Sequence, residues 1–178
     1  FVGFVILAII NHKLFKMKYI YIIIFAILIG CADTNQSILK TDDELSSNIK
    51  MLVEKYENND FEVSQYYAND VITRVNNTEL NGFENLTAGF KAHHEMLYDN
   101  IKMKDLYVHT NYFANGEIWS NVWSTWTGTG KTTGKEYSLP THFDYKWENG
   151  KIVVVQGYFD ESLEKMEIAA YTEAQNQE

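Results

Sequence analysis

Two histidines and one aspartate are the side chains whose type and position could support proton transfer. His93 and His94 flank an apolar stripe at helical spacing, and His94 follows Phe90 by four residues. At the mouth of a pocket, a histidine such as His94 can polarise a carbonyl or accept a proton, but a hydrogen-bonded histidine between a helix and a sheet is the commoner case. Asp160 stands between a strand pattern and a helix pattern, where its ordinary role is to cap the helix by accepting backbone N–H groups near Ser162.

The chain is rich in aromatic residues, with four Trp, 12 Tyr and 10 Phe. In strands such residues are mostly core residues, but together they can also line an apolar pocket. Trp119 and Trp123 share one face of their predicted strand, and Trp126 lies on the other. We predict that a small hydrophobic ligand contacts Tyr67, His94, Trp123, Phe143, Tyr145 and Phe159.

Two further patterns do not indicate sites. His109 and His142 have no Cys or cluster of acids at ligand spacing, so we predict neither a metal nor a cofactor. The segment Gly128 to Thr132 imitates the end of a phosphate-binding loop, but the first Gly of that motif would fall at Thr125. Because a strand-like segment follows it instead of a helix, we interpret it as a turn between strands.

The first 31 residues contain three Lys, no acidic residue and two apolar runs, and they end at Cys31, the only cysteine of the chain. Met17 and Lys18 precede an apolar stretch, 19–29, that has the length of an export signal and is too short to span a bilayer. The string Leu28-Ile29-Gly30-Cys31 is similar to the lipobox of bacterial lipoproteins, in which the Cys is lipidated and becomes the new N-terminus.

We therefore predict a signal peptide at 17–31, lipidation at Cys31, a polar tether at 32–41 and anchoring at the bacterial cell envelope, outside the cytoplasm. The alternative is an ordinary buried Cys at the end of a membrane anchor. Residues 1–16 precede a plausible start Met and are interpreted as a mis-called upstream extension. Without residues 1–31 the chain has 12 basic and 24 acidic residues, a net charge of −12. Such a domain repels phosphate, so nucleic acid is not a predicted partner.

Periodicity predicts helices first and strands afterwards, which indicates an α+β domain with helices packed on one face of a sheet. Thr41 and Glu44 have the spacing of a capping box, at the start of an amphipathic helix over 42–58. A short helix from Asp60 through Tyr67, a brief strand at 71–75 and a third helix at 83–99 follow. Four long segments have strand composition: 101–113, 116–127, 135–147 and 151–159. A closing helix is predicted at 161–171, followed by a tail at 172–178.

One turn decides which residues face inward. Asn149-Gly150 is either a two-residue turn, which pairs Glu148 with Lys151, or part of a three-residue loop, which pairs Trp147 with Lys151. We favour the three-residue loop because it gathers apolar residues on one face and sends His142, Asp144 and Lys146 to the other. The apolar set is Leu139, Phe143, Tyr145, Val153, Val155 and Phe159. Pro140 is predicted at an edge or a bulge.

The order of elements and several strings resemble the SnoaL-like branch of the nuclear transport factor 2-like (NTF2-like) superfamily over residues 42–171. The matching strings are Tyr66 to Val71, Gly82 with Phe90, Trp126-x-Gly128 through Gly134-Lys135, His142 to Ile152, and Gly157 to Asp160. The resemblance implies a cystatin-like cone, in which a curved, mainly antiparallel sheet wraps around N-terminal helices and encloses an apolar pocket. It also implies a homodimer through the outer face of the sheet. Relatives include isomerases, dehydratases, polyketide cyclases and binding modules without catalysis, so the fold does not settle function.

The resemblance also allows the catalytic residues of ketosteroid isomerases to be compared with this sequence. Ketosteroid isomerases use a carboxylate base with a Tyr and a protonated Asp that stabilise the dienolate oxygen. Here the Tyr aligns to Leu52, the base to Val75 and the Asp to Phe143, and none of these side chains can perform those roles. Asp160 is similar to an acid that other SnoaL-like enzymes carry near the end of the last strand, so Asp160 and His94 stay as catalytic candidates.

We therefore expect an exported, lipid-anchored domain that binds a small apolar molecule. An enzyme of the isomerase, dehydratase or cyclase type is one alternative. A homodimeric interaction module that uses the face of His142, Asp144 and Tyr158 is the other.

Overall fold

A computed structural model describes residues 36–177. In chain order the strands are β1 (Ile38–Lys40), β2 (Tyr67–Val75), β3 (Thr78–Asn81), β4 (Tyr98–Tyr112), β5 (Ile118–Gly130), β6 (Glu136–Glu148) and β7 (Lys151–Tyr158). The helices are α1 (Glu44–Glu57), α2 (Phe83–Ala92) and α3 (Ser162–Gln175). No helix of this range is long and apolar enough to cross a membrane. The predicted extension, signal peptide and Cys31 lie outside the described residues.

The strands of this range form one sheet, in the order β1-β4-β5-β6-β7-β2-β3. Neighbouring strands are antiparallel except β2 and β7, which run parallel. Register shifts interrupt the pairing of β4 with β5 at two places, and irregularities of this kind bend a sheet. The predicted α+β class, with helices on one face of a curved and mainly antiparallel sheet, is confirmed.

Helix α1 packs its apolar stripe against the inner face of the sheet. Ile49, Leu52 and Val53 are buried there with residues of β4, β5, β6 and β7. The helix begins later than the capping-box prediction placed it, because Asp43 is the cap: its Oδ1 accepts the N–H of Ser46 at 3.1 Å. Burying a stripe of this kind is what stabilises a helix of 14 residues, which would be marginal alone.

The hairpin between β6 and β7 corrects the predicted turn and keeps the predicted faces except at Val153: the fully buried residue is Ile152. Glu148 pairs with Lys151 across a two-residue turn, so the three-residue loop was wrong. Asn149 and Gly150 both have positive φ, as this turn requires. The extra residue lies in β7 instead, since Ile152 pairs with Trp147 but Val154 pairs with Lys146. After this bulge the side chains alternate between the two faces as predicted. Tyr145 meets Val155 on the inner face, while His142 and Asp144 face outward.

The N-terminal half contains two strands that the periodicity did not indicate. β1 takes its residues from the predicted tether and pairs with β4, Ile38 opposite Tyr112. The strand predicted at 71–75 begins earlier, at Tyr67, and pairs with β3 after a turn at Asn76. All four residues of β3 are exposed, so this strand is stabilised by its backbone hydrogen bonds to β2 and not by burial of its side chains. The predicted short helix is only a 3-10 turn at Ser64–Tyr66.

The helix boundaries differ in two further places. The helix predicted at 83–99 divides into α2 and a π-turn, His93–Leu97, after which the chain is extended. α3 continues through most of the predicted tail, to Gln175. Pro140 lies beyond the last pair of β6 with β7, His142 with Tyr158, so the predicted edge position is confirmed.

Candidate functional site

A cavity of about 580 Å³ lies between the inner face of the sheet and the three helices. This volume is typical of small-molecule sites. The sheet contributes mainly large apolar and aromatic side chains, which are Val122, Trp126, Leu139, Phe143 and Tyr145. The helices and the segment after β7 contribute Leu52, Leu86, Phe90, Phe159 and Leu163.

Four of the six predicted ligand residues lie in this wall: Tyr67, Phe143, Tyr145 and Phe159. Trp123 does not, because it points to the outer face, where it is 54% exposed and its ring centroid lies 3.9 Å from that of His142. The inner face of β5 is the one that carries Trp126, so the assignment of Trp123 to the cavity was wrong. The two tryptophans do lie on opposite faces, as the alternation of a strand predicts.

The positions that align with the isomerase groups also lie in the cavity wall. Leu52, Val75 and Phe143 all line it. They face the space that a ligand would occupy, but their side chains can neither remove a proton nor donate a hydrogen bond. The chemistry described for ketosteroid isomerases therefore has no equivalent at these three positions.

Asp160 lies at the cavity wall, and its carboxylate is engaged in the turn that precedes α3. Its Oδ1 accepts the N–H of Ser162 at 2.9 Å. This backbone hydrogen bond, with that of the Ser162 hydroxyl, holds the pKa of Asp160 below its usual value. A carboxylate held in this way is ionised at neutral pH and cannot act as a general acid. The N-cap of α3 is Glu161 and not Asp160, so the predicted capping position was wrong by one residue.

His94 is placed behind the cavity wall instead of in it. Its ring contacts Tyr56 and Phe61 edge-on, with centroids 5.2 and 6.0 Å away. Burial lowers the pKa of His94 below its usual value, and its Nε2 is buried without a hydrogen-bond partner among the described residues. The structure therefore does not place His94 among the residues of the cavity wall, where a ligand contact was predicted.

The preceding residue, His93, lines the cavity and joins a polar chain that the sequence did not reveal. The Trp126 Nε1–H donates to the hydroxyl oxygen of Tyr56 at 3.0 Å. The same oxygen lies 3.0 Å from His93 Nδ1, and His93 Nε2 lies 3.3 Å from a carboxylate oxygen of Glu164. We call Trp126, Tyr56, His93 and Glu164 the Tyr56 chain.

The Tyr56 chain brings together four different elements. Tyr56 comes from the last turn of α1, Trp126 from β5, His93 from the π-turn and Glu164 from the first turn of α3. Burial raises the pKa of Tyr56 far above its usual value, so its hydroxyl keeps its proton at any physiological pH. All four side chains contribute to the cavity wall, which is otherwise apolar over most of its area.

Helix α3 covers one side of the cavity and is fixed there by a single buried carboxylate. Glu167 is fully buried and is the only buried residue of α3. Its Oε1 accepts the N–H groups of Thr132 and Thr133 at 2.8 and 3.2 Å. Its Oε2 accepts the hydroxyls of Thr133 and Tyr137 at 2.6 and 3.0 Å. The turn that imitates a phosphate-binding loop therefore holds a carboxylate of its own chain.

The fold is similar to that of solved structures described as polyketide cyclases, isomerases and NTF2-like proteins. A proposed polyketide cyclase from Xanthomonas campestris pv. campestris superposes with a TM-score of 0.56 and 17% identity, over 70% of this chain and 95% of that one. A proposed isomerase from Bacillus subtilis gives 0.55 and 10%, over 70% and 91%. An NTF2-like protein from Anabaena variabilis gives 0.53 and 14%, over 65% and 86%.

At these identities the likeness concerns the fold alone. No protein-family model and no curated protein matches the sequence. The expected SnoaL-like fold is thus confirmed by the architecture, and the role of each cavity residue has to be argued from its own contacts.

Proposed function

We propose that this domain binds a small apolar molecule in the cavity, and the cavity itself is the observation that carries the proposal. Protein interiors are close-packed and rarely contain voids larger than a water molecule. A space of about 580 Å³ is therefore too large to be an ordinary packing defect. Its wall is made mostly of aromatic and aliphatic groups, which favours an apolar occupant.

The binding test uses diphenylhexatriene, a hydrocarbon probe that fluoresces in apolar surroundings. We expect saturable binding to residues 32–178. Val122→Phe adds a ring to the cavity wall and should weaken binding at least tenfold. Thr125→Phe adds the same ring to the outer face of the same strand and should leave binding unchanged. Thermal unfolding of both variants verifies that they fold. Equal binding by both variants, or no binding by the wild type, would contradict the proposal.

We further propose that Cys31 is lipidated and holds the domain at the cell envelope outside the cytoplasm. The support is the string Leu28 to Cys31 after an apolar stretch of signal length. Growth of an expressing bacterium with labelled palmitate should label the wild type and leave Cys31→Ala unlabelled. A wild type without label, or a labelled Cys31→Ala variant, would refute lipidation at this residue.

A homodimer through the outer face is a second candidate, favoured by one row of side chains. Tyr107, Trp123, His142 and Tyr158 pair in register across β4, β5, β6 and β7, and we call them the outer aromatic row. Tyr107 is 50% exposed and Tyr158 45%, so the row offers apolar area that a second copy would bury. Sedimentation should show a dimer that Trp123→Arg dissociates. Met166→Arg, on an exposed position of α3, should not dissociate it, and a monomeric wild type would exclude this candidate.

An enzyme is the remaining alternative. Some of the similar solved structures are described as a polyketide cyclase or an isomerase. The Tyr56 chain is one group of side chains at the cavity that could move a proton, because hydrogen bonds join the Tyr56 hydroxyl to His93 and His93 to Glu164. Turnover of an apolar substrate that is lost in His93→Phe and kept in His94→Phe would support this alternative.

A further inference from the structure

The outer aromatic row is a flat platform of rings on the face of the sheet opposite the cavity. Its centre is fixed, since His142 Nδ1 lies 3.1 Å from the carbonyl oxygen of Val122 and His142 Nε2 lies 2.9 Å from Asp144 Oδ1. The Trp123 ring lies over this imidazole, with centroids 3.9 Å apart and an angle of 33°, and the Tyr158 ring makes an angle of only 12° with it. One face of the Trp123 indole is therefore covered by the protein, and the other is open to solvent.

A row of polar side chains runs beside the aromatic row, two residues away on each of the same four strands. We call it the outer polar row, and its members pair in register: His109, Asn121, Asp144 and Gln156. Asn121 Nδ2 donates to Asp144 Oδ1, and Asn121 Oδ1 accepts from Asn111 Nδ2 at 2.7 Å. Because the contacts of Asn121 and His142 with Asp144 both use Oδ1, Oδ2 is left to accept a hydrogen bond from a ligand.

Both rows lead to an open groove beside the start of α3. Tyr158 belongs to the aromatic row and also lines this groove, and Gln156 donates to its hydroxyl. The other groove residues are mostly polar: Asn76, Asn77, Asp160, Glu161, Ser162 and Lys165. Since neighbouring strands lie about 4.8 Å apart, the aromatic row extends about 14 Å from Tyr107 to Tyr158 before the groove begins. A surface of this length is suited to a chain of several sugar rings.

Two parallel rows, one of rings and one of polar groups, are complementary to the two kinds of surface on a sugar. The C–H groups on the face of a pyranose ring are apolar and are attracted to the negative face of an aromatic ring. The hydroxyls lie around the edge of the sugar and need donors and acceptors, which amide and carboxylate groups supply. A sugar stacked on Trp123 has its hydroxyls beside Asn121 and Asp144. A glycan with β-linked rings forms a flat ribbon, so it can repeat both contacts along the rows.

The charge of the domain favours an uncharged ligand over a second copy of this chain. Without residues 1–31 the chain has 12 basic and 24 acidic residues, so two copies repel each other, and an anionic polysaccharide is repelled as well. A second copy on this face would also have to take the polar groups of Asn111, Asn121 and Asp144 out of water, which costs free energy. A sugar replaces that water with hydroxyls.

We propose that the outer aromatic row and the outer polar row bind a neutral oligosaccharide of flat, β-linked rings. The indole of Trp123 supplies the stacking surface, and Asn121 and Asp144 bind the hydroxyls of the stacked sugar. This site lies on the opposite face of the sheet from the cavity, so it goes beyond the proposed function and does not depend on it. A homodimer through the same face is the competing occupant.

Titration calorimetry of residues 32–178 with cellohexaose and with N-acetylchitohexaose tests the proposal. We expect saturable binding of at least one of these neutral hexamers, and binding about tenfold weaker of hexamannuronate, which is β-linked but anionic. Trp123→Ala and Asp144→Ala should each weaken binding of the neutral hexamer about tenfold. Phe113→Ala removes another exposed aromatic ring, about 20 Å along the strand direction from Tyr107, and should leave binding unchanged.

The outcomes distinguish the possible occupants of this face. The proposal is wrong if neither neutral hexamer binds, or if Trp123→Ala binds as well as the wild type. A dimer in sedimentation that Trp123→Ala dissociates, and that binds neither hexamer, would assign the face to a second copy. The diphenylhexatriene assay on the same protein reports only on the cavity, so failure of one proposal leaves the other standing.

Quenching of tryptophan fluorescence by acrylamide keeps the proposal testable should Trp123→Ala fail to fold. Among residues 36–177, Trp123 is the exposed tryptophan, at 54%. A sugar stacked on its open face should shield it, so a saturating neutral hexamer should reduce the quenching of the wild type. Unchanged quenching in the presence of a bound hexamer would place the sugar elsewhere and overturn the proposal.

Discussion

The buried carboxylate of Glu167 gives the most direct test of how α3 is held over the cavity. It accepts four hydrogen bonds, two from backbone N–H groups and two from hydroxyls. In Glu167→Gln the amide oxygen can still accept the two N–H groups, while the amide NH2 faces hydroxyls that can turn to accept. A hydrogen bond to a charged group contributes about 1 kcal/mol more to stability than one between neutral groups, so loss of the charge weakens these hydrogen bonds. Part of this loss is offset, because a neutral side chain costs less free energy to bury. We therefore expect Glu167→Gln to lower the free energy of unfolding by about 2 kcal/mol.

Glu167→Ala should cost more, about 4 kcal/mol, because it leaves two partly buried N–H groups and two hydroxyls without their acceptor. Urea denaturation at pH 7 measures both values. Glu173→Gln is the matched control, since Glu173 is an exposed glutamate of the same helix, and it should stay within about 0.5 kcal/mol of the wild type.

The pH dependence of this difference provides a second test. Burial opposes ionisation of Glu167, but its hydrogen bonds with Thr133, Thr132 and Tyr137 outweigh burial and hold its pKa below the usual value. A lowered pKa in the folded state means that the carboxylate contributes its full stability above the pKa of an unfolded glutamate, about 4.3. That contribution is lost as the pH falls through the folded pKa. The difference between wild type and Glu167→Gln should therefore shrink below about pH 4, and one that persisted unchanged at pH 3 would refute the reasoning.

Substitutions at three further positions test contacts that stabilise the fold, each by urea denaturation. A Cβ at Gly157 would lie 2.5 Å from Phe143 Cε1, so Gly157→Ala should cost about 1–3 kcal/mol; no loss would show that the ring moves freely. Ser120→Ala leaves the buried indole N–H of Trp147 without its 2.8 Å acceptor and should cost about 1–3 kcal/mol; a neutral effect would mean that another group accepts it. Asp43→Ala removes the cap of α1 and should cost about 1 kcal/mol, whereas Asp43→Asn should be nearly neutral; equal losses would contradict the capping role.

The fold could be predicted because its strands are long and carry a clear pattern. Composition alone located β4, β5, β6 and β7 to within a few residues. β1 and β3 were missed because they are short and exposed, and their backbone pairing leaves no pattern in the side chains. The turn at Asn149-Gly150 was assigned the wrong length, and Val153 was wrongly placed inward in place of Ile152. From Val155 onward the faces were right, because the bulge in β7 shifts the alternation by the same single residue as the predicted loop.

The site was harder to predict than the fold. Alternation separated Trp123 from Trp126 but did not identify the inner face, which depends on where the helices pack. The helical period favoured His94 over His93, but the π-turn changes the number of residues per turn at this point. Tyr56 and Glu167 lie in helices, and the residues next to them in the sequence do not indicate which groups they contact. Both bind residues from strands far away in the chain, and no local pattern records such contacts.

The parallel pairing of β2 with β7 has a consequence for the order in which the protein folds. Ile72 pairs with Val154, so β2, the first long strand to be synthesised, cannot pair with β7 until about eighty more residues have been made. The hairpin of β6 and β7 can form locally, but the edge formed by β2 and β3 can join the sheet only after Tyr158 has left the ribosome. Loop closure over this distance slows the addition of β2 and β3 to the sheet.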